Sequence, residues 1–178
     1  MHHVELLLDD ASDAAVRQEW RALDEAGLPS QARHRSASNR PHVTLTMTHG
    51  WPGEDGLAEA LAPLAALPLT CPLGAPTVFG AGPYVLVRAL VTTEPLLALQ
   101  RELAHRLEPL ASDLLVPGRW VPHVTLARRM PAEQVVQALG LLGAASGIDV
   151  VLDAARHWDA GARRDEPLTA PRRPGRPA

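Results

Sequence analysis

The sequence predicts an α+β fold carried by a mixed or antiparallel sheet. Three observations point there. Strand-like and helix-like patterns interleave along the whole chain. Some connections are hairpin-short, as between Thr77 and Val91. One pentapeptide occurs twice, far apart. With 178 residues, 46% of them hydrophobic, the chain has enough apolar material for one core-bearing domain. Aromatics make up only 3%, so Leu, Val and Ala must fill that core.

Taken in order, Val4 to Leu8 is a short apolar run, expected as a buried strand. Ser12 or Asp13 is placed to cap a helix that runs to about Ala26, where Gly27 and Pro29 stop it. Val16, Trp20 and Leu23 share one face of that helix. Ser30 to Arg40 is polar and reads as a loop. His42 to Thr48 alternates and is rich in Val and Thr, the pattern of a strand. Leu57 to Leu67 looks helical, with Pro63 kinking or shortening it. Leu69 to Phe79, broken by Pro72 and Pro76, reads as an irregular or edge strand. Tyr84 to Val91 is a clear strand, Leu96 to Leu110 an amphipathic helix, and Trp120 to Ala127 a strand. Ala132 to Leu142 is a helix and Ile148 to Leu152 the last strand. The expected organisation is one domain over residues 1–160 and an Arg/Pro-rich flexible tail over 161–178.

A formal net charge of -3 argues against a protein that coats nucleic acid by bulk charge, but leaves room for a local basic site. All 17 basic residues are arginines, a compositional bias that carries no functional reading. Cys71 is the only cysteine, so neither an internal disulfide nor a CxxC clamp can form, and a reducing cytoplasm is the natural setting. The N-terminus turns acidic after a very short apolar run, unlike a secretory signal. No window approaches a membrane span, and the expectation is a cytoplasmic monomer with no membrane partner.

The repeat carries the chemistry. Pro41 to Leu45 reads PHVTL, and so does Pro122 to Leu126. Each copy follows a polar or turn segment, sits on an expected strand and precedes a helix. Residues two apart on a strand point the same way. His42 therefore shares a face with Thr44, and His123 with Thr125. Val43, Leu45, Val124 and Leu126 turn to the opposite face, where helices can bury them. Two imidazoles and two hydroxyls suit phosphodiester cleavage. One neutral imidazole takes a proton from water or a ribose hydroxyl, and the other, protonated, gives one to the leaving oxygen. Threonine hydroxyls can donate to the non-bridging oxygens. No metal or cofactor is required. A single HxT on a strand would be weak evidence; two matched copies are the signal.

The paired motifs, His42-Val43-Thr44-Leu45 and His123-Val124-Thr125-Leu126, resemble those of the two-histidine phosphoesterase superfamily. The closest likeness is to the 2'-5' RNA ligase branch, also called RNA 2',3'-cyclic phosphodiesterases. The continuation Ala127-Arg128 is similar too, and the resemblance covers roughly residues 2–160. It implies two pseudo-symmetric lobes, each an antiparallel sheet with outer helices, facing a central cleft. It implies hydrolysis of a 2',3'-cyclic phosphate to a 2'-phosphomonoester, with an RNA 3' end or small nucleotide as substrate. His42 would be the acid and His123 the base, although identical motifs do not rank themselves. Thr44, Thr125 and Arg128 would meet the phosphate. Ligation would be the reversal of related chemistry.

Other readings stand beside this one. In a second reading the chain is a binder that holds an RNA end or nucleotide without turnover; in a third it cleaves a small nucleotide such as an ADP-ribose cyclic phosphate or a 2'-5' oligoadenylate. Arg128 falls on the His123 face only if the strand is interrupted. Arg33, His34, Arg35 and Arg40 form a basic loop that either guides RNA or is simply solvated. Tyr84, Trp120 and Trp51 are stacking candidates, with packing the favoured role. His49, His105 and His157 lack partners at metal-ligand spacing.

Overall fold

The computed structural model describes residues 1–112, 115–143 and 148–169. Its element order repeats a β-α-β-α-β unit. The first copy is β1 (His2–Leu8), α1 (Asp10–Glu25), β2 (His42–Thr48), α2 (Glu54–Leu61) and β3 (Leu69–Phe79). The second is β4 (Tyr84–Leu90), α3 (Glu94–Arg106), β5 (His123–Met130), α4 (Ala132–Leu142) and β6 (Ile148–Asp159), followed by β7 (Arg164–Pro167). The α+β class is as the sequence predicts.

All pairings are antiparallel. One lobe holds β2-β1-β6-β7 and the other β5-β4-β3. The lobes exchange their third strands, since β3 comes from the first half and β6 from the second. The two lobe sheets are not separate: β2 joins β5 and β3 joins β6, so the ladder is continuous. The β2–β5 seam has a single register pair, Val43 with Val124.

Helices cross that seam. Helix α1 packs against β5 as well as β1, and α3 packs against β2. The apolar faces of both motif strands are thereby buried: Val43, Leu45, Val124 and Leu126 are at most 1% exposed. Arg88 on β4 makes a buried pair with Glu19 on α1, two N–H groups reaching its carboxylate at 2.5–2.9 Å, and it donates to the Gly74 carbonyl at 2.9 Å. Gly74 itself is hemmed in, since a Cβ there would sit 3.2 Å from the Ala89 carbonyl oxygen.

Several expectations change. Asp9, not Ser12 or Asp13, caps α1 by accepting from the Ser12 amide at 2.8 Å. Ser12 is buried, and its hydroxyl accepts from the Val151 amide of β6. Pro63 ends the α-helical ladder at Leu61, and a 3-10 turn, Ala62–Ala66, completes the segment. Strand β3 is interior rather than an edge, paired to β4 and β6, with a register shift between Leu73 and Pro76 absorbing the prolines. Strand β6 runs seven residues past Leu152 because its second half pairs with β1. The flexible tail does not begin at 161: β7 pairs with β6, Leu168 donates to the Ala155 carbonyl, and the Thr169 hydroxyl accepts from the Ala155 amide. Residues 170–178 lie outside the described part. Among the described residues no helix is long and apolar enough to cross a membrane.

Candidate active site

The single pair Val43–Val124 decides where the histidines go. Continuing that antiparallel register sets His42 level with Thr125 and Thr44 level with His123. The two valines point into the core, so both histidines turn to the other face. Both line one cleft of about 540 Å³, together with Thr44, Arg128, Trp120, Met47, Leu115, His3, Glu5, Arg156, Trp158 and the loop residues Gln31, His34, Ser38 and Asn39.

The two imidazoles are tethered identically. His42 Nδ1 donates to the Arg40 carbonyl at 2.7 Å, and His123 Nδ1 donates to the Val121 carbonyl at 2.8 Å. Each partner lies two residues earlier. A carbonyl oxygen only accepts, so Nδ1 carries hydrogen in both rings and Nε2 is left to exchange protons. The motif threonines are tethered through their backbones: Trp120 Nε1 donates to the Thr44 carbonyl at 2.9 Å, and Trp20 Nε1 to the Thr125 carbonyl at 3.1 Å. The indoles satisfy carbonyls at a seam where the strand ladder is too short to do so.

The side chains differ more. Thr44 lines the cleft, whereas Thr125 is 8% exposed and is not among the cleft-lining residues. Arg128 reaches the cleft because β5 is interrupted: Thr125 pairs with Val87 and Ala127 with Leu86, so one extra residue lies on β5. Arg129 next to it has a φ of 56°. The positive charge of Arg128 acts on both imidazoles.

Strand β1 contributes what the sequence reading missed. Glu5 stands level with Thr44 on one side and Arg156 on the other. Glu5 Oε2 accepts from Arg156 Nε and Nη2, each at 2.8 Å. Glu5 Oε1 lies 3.5 Å from His42 Nε2 and 3.7 Å from His3 Nδ1. Burial opposes ionisation of Glu5, but His3, His42 and Arg156 outweigh it and hold the carboxyl down at about 2. The signal available was an acidic residue inside the apolar run Val4–Leu8; a charge in a buried strand needs a partner.

Burial lowers His42, against the pull of Glu5 and of the Arg40 carbonyl; burial also lowers His123, helped by Arg128 and opposed only by the Val121 carbonyl. Of the stacking candidates, Trp120 lines the cleft, with Trp158 as a second, unforeseen indole. Tyr84 packs on the core. Trp51 also packs there and stacks on His157, ring centroids 3.8 Å apart. In the basic loop, His34 lines the cleft, while Arg33 pairs with Asp24 outside it. Among the described residues, no group of three or more His, Cys, Asp or Glu side chains is arranged to hold a metal ion.

Comparison with known proteins agrees with the fold. Usb1 of Kluyveromyces marxianus is similar at a TM-score of 0.52 and 14% identity, over 95% of this chain and 97% of that one. Its structure with uridine monophosphate gives 0.51 and 14%, over 94% and 97%. Escherichia coli LigT complexed with NADP+ gives 0.52 and 19%, over 94% of each chain. No curated protein matches in sequence. The sequence profile of the 2'-5' RNA ligase superfamily matches residues 9–160. The chain therefore belongs to the 2'-5' RNA ligase superfamily.

Proposed function

We propose that this phosphoesterase-family protein hydrolyses a 2',3'-cyclic phosphate, at an RNA 3' end or on a nucleotide, to a 2'-phosphomonoester. One observation carries the reading: two identically tethered imidazoles line the same cleft, each with Nδ1 engaged, His42 Nε2 facing the Glu5 carboxylate at 3.5 Å, and Arg128 bears on both. Bound nucleotides in the Usb1 and LigT structures support a nucleotide-like substrate.

In the reaction, His123 Nε2 accepts a proton from water as the water oxygen attacks phosphorus. The bond from phosphorus to O3' breaks, and His42 Nε2 delivers its proton to that oxygen. The product carries a 2'-phosphate and a free 3'-hydroxyl. The histidines end with exchanged protonation and reset through solvent. Arg128 and the Thr44 hydroxyl hold the non-bridging oxygens, whose charge is to be stabilised during displacement. Thr125 is buried beside the seam and stands outside the cleft lining, so no contact with the phosphate is assigned to it.

The test is turnover of a nucleoside 2',3'-cyclic phosphate in the presence of a chelator. The expected result is one phosphomonoester isomer, the 2'-phosphate. A mixture of isomers, or turnover that requires added metal, contradicts the proposal. Binding without any turnover favours the reading as a nucleotide or RNA-end binder.

A further inference from the structure

We propose that Glu5, clamped by Arg156, is the positioning residue that sets His42 apart from His123, placing a carboxylate beside the His42 ring alone and so marking it as the proton donor. This rests on the reading of the cleft given above and adds the device that ranks two identical motifs.

Three features of the geometry support it. First, the two oxygens of Glu5 have different tasks. Oε2 is fixed by two N–H groups of Arg156, which presents Oε1 toward His42 Nε2 and His3 Nδ1. Arg156 is itself pinned, since Nη1 donates to the Ser38 carbonyl at 2.8 Å and to Asp165 at 3.1 Å. Its side chain is 5% exposed and fully engaged, so it serves the carboxylate rather than the substrate.

Second, both ring nitrogens of His42 face acceptors. Nδ1 donates to the Arg40 carbonyl, and Nε2 looks at a carboxylate 3.5 Å away. Only the doubly protonated ring offers a proton to each. At 3.5 Å the contact is no hydrogen bond and becomes ionic only when the ring is protonated; Glu5 then offsets part of what burial and the two arginines take from that state, and the Nε2 proton stays transferable to substrate. His123 has the same carbonyl tether, but the ionised side chain acting on it is the cation Arg128. That environment favours the neutral ring, with its Nε2 lone pair free.

Third, the other lobe lacks the device at the equivalent place. Glu5 stands between Thr44 and Arg156 across strands β2, β1 and β6. Val87 stands between Thr125 and Thr77 across β5, β4 and β3. The pseudo-symmetric row thus swaps a carboxylate and a guanidinium for an isopropyl and a hydroxyl. The charged and titratable groups around His42 are Glu5 and His3 from β1, Arg156 from β6, Arg128 and His123 from β5, and Asp165 of β7 behind Arg156. Glu5 is the carboxylate that acts directly on the ring; burial and both arginines work against it.

The experiment follows the ring ionisations of His42 and His123 by NMR, without substrate, and the pH profile of kcat. It uses Glu5→Gln, Glu5→Asp and the double variant Glu5→Leu/Arg156→Met. The double variant removes the carboxylate without leaving a buried guanidinium unpaired, and so guards against a folding failure of Glu5→Gln. In Glu5→Gln, loss of the carboxylate is expected to move the His42 ionisation to lower pH by about one pH unit or more, with His123 nearly unmoved; the double variant, which also removes the opposing Arg156 charge, should move it the same way by less. The high-pH limb of kcat should follow, with turnover at pH 7 falling roughly tenfold. Glu5→Asp should recover part of the shift. If His42 and His123 move together, or neither moves in any variant, Glu5 does not single out His42 and the proposal is overturned. The ring titration needs no turnover, so it decides this point even if the cyclic phosphate proves not to be the substrate.

Discussion

Strands β2 and β5 carry the same five residues and meet different neighbours. What the motif itself encodes is equal on both: the histidine at the seam and its Nδ1 tied two residues back; each threonine carbonyl is also held by an indole, brought from 76 and 105 residues away. What the neighbours supply is unequal. His42 receives a carboxylate from β1 whose counter-ion comes from β6, more than 150 residues away in sequence. His123 receives Arg128 and an apolar row. Short-range sequence thus sets the orientation of each ring, while long-range pairing sets the charged groups beside it.

The comparison can be broken first at the rings. His42→Ala and His123→Ala are each expected to lower kcat about 10²–10⁴-fold, the usual worth of a positioned acid or base. Steady-state kinetics on a cyclic phosphate checks this; retained turnover in either variant removes the mechanism. Next comes the ion pair. Arg156→Met leaves Glu5 buried with only His3 and His42 beside it and should destabilise by about 3 kcal/mol in denaturant unfolding, whereas Glu5→Leu/Arg156→Met should cost far less. Val87→Glu copies the acidic residue into the lobe without its arginine, and a loss of similar size, about 3 kcal/mol or more, is expected.

A smaller effect concerns acid stability. The folded-state pKa of Glu5, about 2, lies below its ordinary value of 4.5. Its contribution is therefore fully present above about pH 4.5 and is lost as pH falls toward 2, in total about 3 kcal/mol. Glu5→Gln should flatten the pH dependence of stability across that window in denaturant melts; an unchanged slope contradicts the assignment. The smallest expected effect is at the indoles. Trp120→Phe removes the donor to the Thr44 carbonyl and should cost about 1 kcal/mol, and the same holds for Trp20→Phe on the other motif strand.

The repeat made much of the fold and part of the cleft legible. Periodicity located β2 and α4 to the residue, because their patterns are uninterrupted and their ends carry turn residues. It placed β5 three residues early, since Trp120 and Val121 precede the ladder and only Arg128 to Met130 follow its bulge. That bulge is a tertiary feature, and it alone brings Arg128 round to the cleft. Strand β7 escaped because its four residues, Arg164 to Pro167, are all exposed and carry no hydrophobic alternation. Glu5 was visible as an anomaly in an apolar run, but its partner Arg156 could not be named before strand order put β1 beside β6. Metal-ligand spacing said nothing of the stacking of His157 on Trp51.

The claim on which the mechanism stands is that two imidazoles act on one phosphorus centre. The most direct measurement is kcat for the parent protein, His42→Ala, His123→Ala and the double variant under one set of conditions. Groups that act as a unit are non-additive, so the double variant should be about as slow as the slower single one. If the two losses multiply instead, the rings work independently and the shared-centre account is wrong.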